Sequence, residues 1–227
     1  MKGVVVTREK EAATPNPLAT TRDDGVPRVL LMRHAQTHAN ARGFFLGRRD
    51  EGVTKLGEEQ SRRAVAGLVA WRPDRIICSP LKRCKTLIAE PAAAKLGIEA
   101  QVDERLVEFD FGPIEGMSFD DVIERDLPFP WGPRAAAWPP DGGGESFDGF
   151  LARIRSASDD IERLEGRTAV VVHGGVIRGF MGNWLSMGTD EINHLIVRNV
   201  DGFVFRVRPG FAELESYGIH PEDLGNY

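Results

Sequence analysis

Apolar residues along this chain fall into two kinds of pattern. Short unbroken runs occur at Val29-Leu30-Leu31-Met32, Ile76-Ile77-Cys78 and Ala169-Val170-Val171-Val172. Runs of this length without polar alternation fit strands covered on both faces. Phe203 to Val207 is a fourth candidate. The second pattern repeats every three to four residues. Phe147, Phe150, Leu151, Ile154, Ile161 and Leu164 make such a stripe and predict a helix starting near Ser146. Thr54 can cap a helix from about Lys55 to Ala70. Ser79-Pro80 puts a capping hydroxyl before a proline at the first helical position. It predicts a helix to about Leu96, stopped by Gly97. A last helix is predicted from about Gly175 to Gly188. Strands alternating with helices imply an α/β fold, with a largely parallel sheet covered on both faces.

The polar stretches set the boundaries. Residues 1–27 mix charge, proline, threonine and alanine without a period, and predict a mobile N-terminal extension ahead of a single domain over residues 28–227. Leu127 to Gly144 is rich in Pro, Gly and Trp, and predicts a long irregular loop inside that domain. A chain of 227 residues suffices for one α/β domain with a well-buried core. The net charge of −5 gives no general attraction to nucleic acid or to anionic membranes. An anionic ligand would need a local pocket. No apolar run approaches the roughly 20 residues of a membrane span, and Met1 to Lys10 lacks the apolar core of a signal peptide. A cytoplasmic location is therefore expected. Cys78 and Cys84 are too few for a disulfide framework and read as buried thiols. Oligomeric state is open, and a homo-oligomer is compatible with the sequence.

Ligands of open α/β sheets collect beyond the carboxyl ends of the strands. Three predicted strands run into Arg33-His34-Ala35-Gln36-Thr37, Ser79-Pro80-Leu81-Lys82-Arg83 and His173-Gly174-Gly175. Two histidines and two arginines would meet there. A guanidinium fork matches phosphate oxygens, and a neutral imidazole can attack phosphorus. Nearby arginines disfavour the imidazolium and keep such a histidine nucleophilic.

With three further segments, these runs resemble the histidine phosphatase superfamily in its phosphoglycerate-mutase-like branch. The carriers are Leu31 to Thr37 with Asn40, Gly47 and Val53 to Gly57 downstream; Ser79 to Cys84; Leu106 to Gly116; Gly144-Glu145-Ser146; and Val172 to Arg178. Each is weak alone, and the five in order are specific. The resemblance implies a phosphoglycerate-mutase-like, three-layer α/β/α fold with a mostly parallel central sheet. It implies His34 as the phosphorylated nucleophile, Arg33, Arg83 and His173 as the phosphoryl cage, and Glu108 as general acid and then base. Thr37, Asn40, Gly47 and the Gly174 backbone would be supporting phosphate or substrate contacts. No cofactor or metal is implied. One departure is Ala35, where the family usually has glycine. Gly174 follows the second histidine, where the acid-phosphatase branch has an aspartate acid, so the acid falls to Glu108.

Other readings weigh less. His34 and His38 have the i, i+4 spacing of a metal pair, but straddle a strand end with no completing ligands. His194 and His220 read as structural or surface residues. Glu115 and Arg178 are explained as well by ion pairing as by catalysis, and Glu145 equally by a helix-start charge or a site residue. The expected partner is a small phosphorylated molecule, and three functions compete: a phosphomonoesterase, a phosphoglycerate mutase and a non-catalytic phospho-ligand module. The module is weakest, since nucleophile, cage and acid are all present. A mutase would carry an arginine-rich insertion after Glu108. Met117 to Gly144 offers only Arg125 and Arg134, with Phe119, Phe129, Trp131 and Trp138. This favours a phosphatase with an apolar or aromatic leaving-group pocket. Glu108, as acid, would need a raised pKa from burial or a neighbouring carboxylate.

Overall fold

The four apolar runs form the strands they predict. The computed structural model describes residues 25–132, 134–139 and 143–227. The expected extension over residues 1–27 lies outside the described residues up to position 24. Six strands make one sheet: β1 (Arg28–Arg33), β2 (Arg75–Cys78), β3 (Ala100–Val102), β4 (Arg167–Val172), β5 (Gly202–Arg208) and β6 (Phe211–Ile219), in the spatial order β3-β2-β4-β1-β5-β6. The first four are mutually parallel, and β5 and β6 run antiparallel to their neighbours.

Alternate side chains of each central strand feed two separate cores. Leu31, Val170, Val172 and Phe205 pack on one face against α5 (Phe147–Ile161) and α6 (Gly174–Leu185). Leu30, Met32, Ala169 and Val171 pack on the other against α2 (Lys55–Trp71) and α3 (Glu90–Leu96). Because every central strand is apolar on both faces, helices must cover both, and a three-layer α/β/α architecture results. Short helices α1 (His38–Arg42), α4 (Phe119–Glu124) and α7 (Thr189–Asn193) complete the fold.

The caps read from sequence are in place. Thr54 accepts the Gly57 N–H and starts α2; Ser146 accepts the Gly149 N–H and starts α5. The helix expected from Ser79 to Leu96 differs. Ser79 to Cys84 forms turns, Lys85–Ala89 is a π-helical turn, and only Glu90–Leu96 is α-helical. Pro91 is the cause we assign, because it has no N–H to give the carbonyl four residues back. The π turn shifts the ladder by one, with Ala89 N–H bonding the Cys84 carbonyl at 2.9 Å. The last helix starts one residue early, at Gly174, and ends at Leu185.

Candidate active site

The carboxyl ends of β1 and β4 are neighbours in register, Arg33 beside Val172. His34 follows β1 and His173 follows β4, so the two imidazoles meet with ring centroids 5.2 Å apart. Both are buried. Arg83 reaches them from the turn after β2 and is itself buried. Strand order thus brings together residues 139 positions apart in the chain.

Hydrogen bonds fix which nitrogen of each ring carries the proton. His34 Nδ1 lies 2.7 Å from the Ala35 carbonyl, which can only accept. Nδ1 therefore holds the hydrogen, and Nε2 keeps its lone pair. His173 Nδ1 accepts from Arg83 Nε at 3.3 Å, which leaves Nε2–H to donate to Ser79 Oγ at 2.7 Å. Burial, then the charge of Arg83, holds both histidines well below the usual imidazole range, and Arg33 adds to it. Both rings are neutral at pH 7.

The arginines are placed differently. Arg83 Nη1 and Nη2 donate to the carbonyls of Arg49 and Gly47 at 2.7 and 2.6 Å. Arg33 Nη1 donates to the Val197 carbonyl at 2.6 Å, while its buried Nε has no partner among the described residues. A buried donor left unpaired is costly. Burial brings the Arg33 pKa down to about 10, opposed by the negative charge of Glu108. Glu108 is held by two backbone donors: Phe109 N–H on Oε1 at 2.9 Å and Gly175 N–H on Oε2 at 3.1 Å. Gly175 is in the first turn of α6, so the carboxylate sits at that helix's positive end. A Cβ at Gly175 would lie 2.5 Å from Glu108 Oε1.

The supporting residues divide. Thr37 and Asn40 bond each other in a capping box that starts α1, and Asn40 also lines the adjoining cavity. Gly47 gives its N–H to Glu115 and its carbonyl to Arg83, and a Cβ there would stand 2.2 Å from the Phe109 carbonyl. It acts by placing Arg83. Glu115 holds the same loop through Gly47 N–H and Arg49 N–H. Gly174 packs 3.6 Å, measured from its would-be Cβ, from Arg33 Nε. Glu145 is paired with Arg153, whose guanidinium also bonds the Arg105 and Val107 carbonyls, so its role is structural. Arg178 has no carboxylate within ion-pair distance among the described residues; it donates to the Leu195 carbonyl and borders the cavity. Ala35 is buried without positive φ, so the methyl in place of hydrogen brings no backbone strain.

Two further residues take part that are not singled out as site residues from the sequence. Ser79, read from sequence as a helix cap, accepts the Leu81 N–H at 3.4 Å and also bonds His173. Asn199 Nδ2 donates to the His34 carbonyl at 2.9 Å and to Asn40 Oδ1 at 3.3 Å. The next residue, Val200, has φ +58°, a strained value for a β-branched side chain. Its N–H bonds the Arg33 carbonyl at 3.1 Å, so this bend braces the end of β1 ahead of His34. Cys84 is buried with Sγ 3.6 Å from His173 Nε2, and burial pushes its thiol pKa up.

The site opens onto a cavity of about 250 Å³ walled by aromatic rings. Among the described residues no helix is long and apolar enough to cross a membrane.

A bifunctional protein of Mycobacterium tuberculosis is 39% identical over 171 residues, covering 72% of this chain. The chain spans about half the length of that relative, 46%. A putative phosphoserine phosphatase 2 of Hydrogenobacter thermophilus is 31% identical over 178 residues, covering 76% of this chain and 85% of the relative. The crystal structure of a putative alpha-ribazole-5'-P phosphatase from Escherichia coli superposes with a TM-score of 0.72 at 24% identity, covering 85% of this chain and 96% of the other, and shares the fold. The model of the histidine phosphatase superfamily (branch 1) matches residues 29–220, and this chain belongs to that family.

Proposed function

We propose that this chain is a phosphomonoesterase that acts on small phosphorylated molecules through a phosphohistidine on His34. The observation that carries the reading is a neutral histidine with a free Nε2 lone pair, buried beside Arg83 and an Arg33 whose Nε lacks a partner. A dianionic phosphoryl group would satisfy that donor and both positive charges.

In the first step the Nε2 lone pair attacks phosphorus and the bond to the leaving oxygen breaks. Nδ1–H stays on the Ala35 carbonyl, which keeps the ring oriented. Glu108, a carboxylate in the free site, must first take up a proton, which it then gives to the leaving alkoxide. In the second step the Glu108 carboxylate takes a proton from water, water oxygen attacks phosphorus, and the P–N bond breaks, returning the electron pair to Nε2. For His173 to donate to an equatorial oxygen, one of its present bonds to Arg83 or Ser79 must be exchanged for the phosphoryl group.

A mutase is disfavoured by the insertion. Arg125 is exposed, Arg134 pairs with Asp126, and neither borders the cavity. The test is phosphate release from a panel of phosphomonoesters by wild type and His34→Ala, in the presence of EDTA. Wild type should turn over under chelation, and His34→Ala should fall below a tenth of its rate. Turnover kept at or above that level would sink the covalent mechanism.

A further inference from the structure

The cavity beyond the proposed phosphoryl end is lined by eight aromatic rings, with Arg33, Asn40, Glu108, Arg178 and Asn193 as its polar side chains. Its floor is Phe109, the residue after Glu108, joined by Phe45, Phe111 and Phe150, all buried. Phe109 packs against Phe111 and Phe150 with centroids 5.2 Å from each. Core packing alone accounts for these four. It does not account for the rim, where Phe119 and Trp131 line the cavity while remaining 40% and 37% exposed. Phe119 lies 4.1 Å from Phe45, and Trp131 meets Phe111 edge-on at 5.7 Å. The rim is thus held in position by the floor and presents ring faces to whatever enters.

The polar groups nearby are partly engaged. Asn40 bonds the Thr37 N–H, and Arg178 bonds the Leu195 carbonyl. A polyol entering here would meet Asn193 and Arg178 along one side, whereas an apolar ring would replace water against the aromatic walls. The volume of about 250 Å³ suits one ring with its phosphate, below the 300–1,000 Å³ typical of sites for larger ligands.

We infer that this cup selects phosphomonoesters whose leaving group carries a single apolar ring, with Trp131 and Phe119 as the specificity-determining residues. The inference deepens the phosphatase reading and rests on it for turnover, but the cup itself can be tested by binding alone. Non-hydrolysable phosphonates supply that test. Benzylphosphonate and 2,3-dihydroxypropylphosphonate share the same anionic head and differ in ring against polyol. Calorimetry on the full chain should show benzylphosphonate binding at least roughly tenfold tighter, about the difference a well-buried ring supplies. Trp131→Ala and Phe119→Ala should each shrink that ratio severalfold, and Trp131→Phe should restore most of it. Both positions are on the rim, so either variant can stand if the other fails to fold. Equal affinities, binding of neither phosphonate, or a ratio unmoved by both alanine variants would overturn the cup. Benzyl phosphate and glycerol 1-phosphate, assayed in parallel, separate the two claims because both release primary alkoxides. Ring-selective binding without hydrolysis of either ester would leave the cup standing and remove the phosphatase reading. Hydrolysis of both at equal kcat/KM would do the reverse.

Discussion

At the proposed phosphoryl end, directional hydrogen bonds pin the side chains: backbone groups hold His34 (at Ala35), Arg83 (at Gly47 and Arg49) and Glu108 (at Phe109 and Gly175), while Arg83 and Ser79 hold His173. At the leaving-group end, positions are set by ring against ring, and Phe119 and Trp131 stay partly open to solvent. Directional bonds fix atoms to within tenths of an ångström, which in-line chemistry at phosphorus requires. Aromatic contacts have broad minima and admit ligands of related shape. The difference teaches that chemistry and selectivity are built on separable supports, so substitutions at the two ends should have different signatures.

The broadest effect, common to every ester, is expected at Arg83. On the proposed mechanism Arg83 faces the equatorial oxygens, and Arg83→Ala should lower kcat/KM by roughly 10²–10³. The loss should be alike for benzyl phosphate and 4-nitrophenyl phosphate, since the phosphoryl group is common to both. A loss confined to one ester would place Arg83 at the leaving-group end and break the comparison.

Glu108 should respond differently. A benzyl alkoxide needs a proton on departure and a nitrophenolate does not. Glu108→Gln should slow benzyl phosphate by roughly 10²–10⁴, with a much smaller effect on phosphohistidine formation from the nitrophenyl ester. Each ester carries a single ring, and comparing each variant with wild type on the same ester separates proton transfer from cup binding. Equal losses in single-turnover kinetics would make Glu108 a structural residue.

The smallest effect is one of stability. Burial and Arg83 hold His34 and His173 neutral in the folded chain, below their unfolded pKa of about 6.5. Above that pH both states are neutral and neither histidine matters. As pH falls below it, the unfolded chain binds two protons that the folded chain refuses. Folding stability should then drop by about 1.4 kcal/mol per pH unit for each histidine. Urea unfolding between pH 7 and pH 5, in phosphate-free buffer, should show this slope, and His173→Asn should reduce it. An unchanged slope in that variant would mean that His173 is already charged in the folded site.

Much of this was legible in the sequence, and the gaps have physical causes. β1, β2 and β4 are buried on both faces, so their apolar runs announce them. β3 has three residues at one sheet edge, two of them exposed, and leaves no such pattern. β6 is the other edge, where two register shifts against β5 break the alternation that would mark it. Pro91 was visible, but its accommodation by a π turn depends on tertiary contacts. Within the site, His34, Arg83 and His173 follow strands and could be placed by topology. Ser79 and Asn199 could not, because a serine before proline looks like a cap and a lone asparagine in a loop looks like a turn. Their roles exist only once β1, β2 and β4 are side by side.

The central claim is a covalent phosphoryl group on His34, and rapid quenching tests it most directly. Wild-type protein mixed with excess ³²P-labelled benzyl phosphate should retain close to one equivalent of label per chain within the first turnover. That label should be lost in acid, survive alkali and map to the peptide containing His34. It should be absent from His34→Ala. Turnover without any such label, or a label that persists in His34→Ala, would contradict the account.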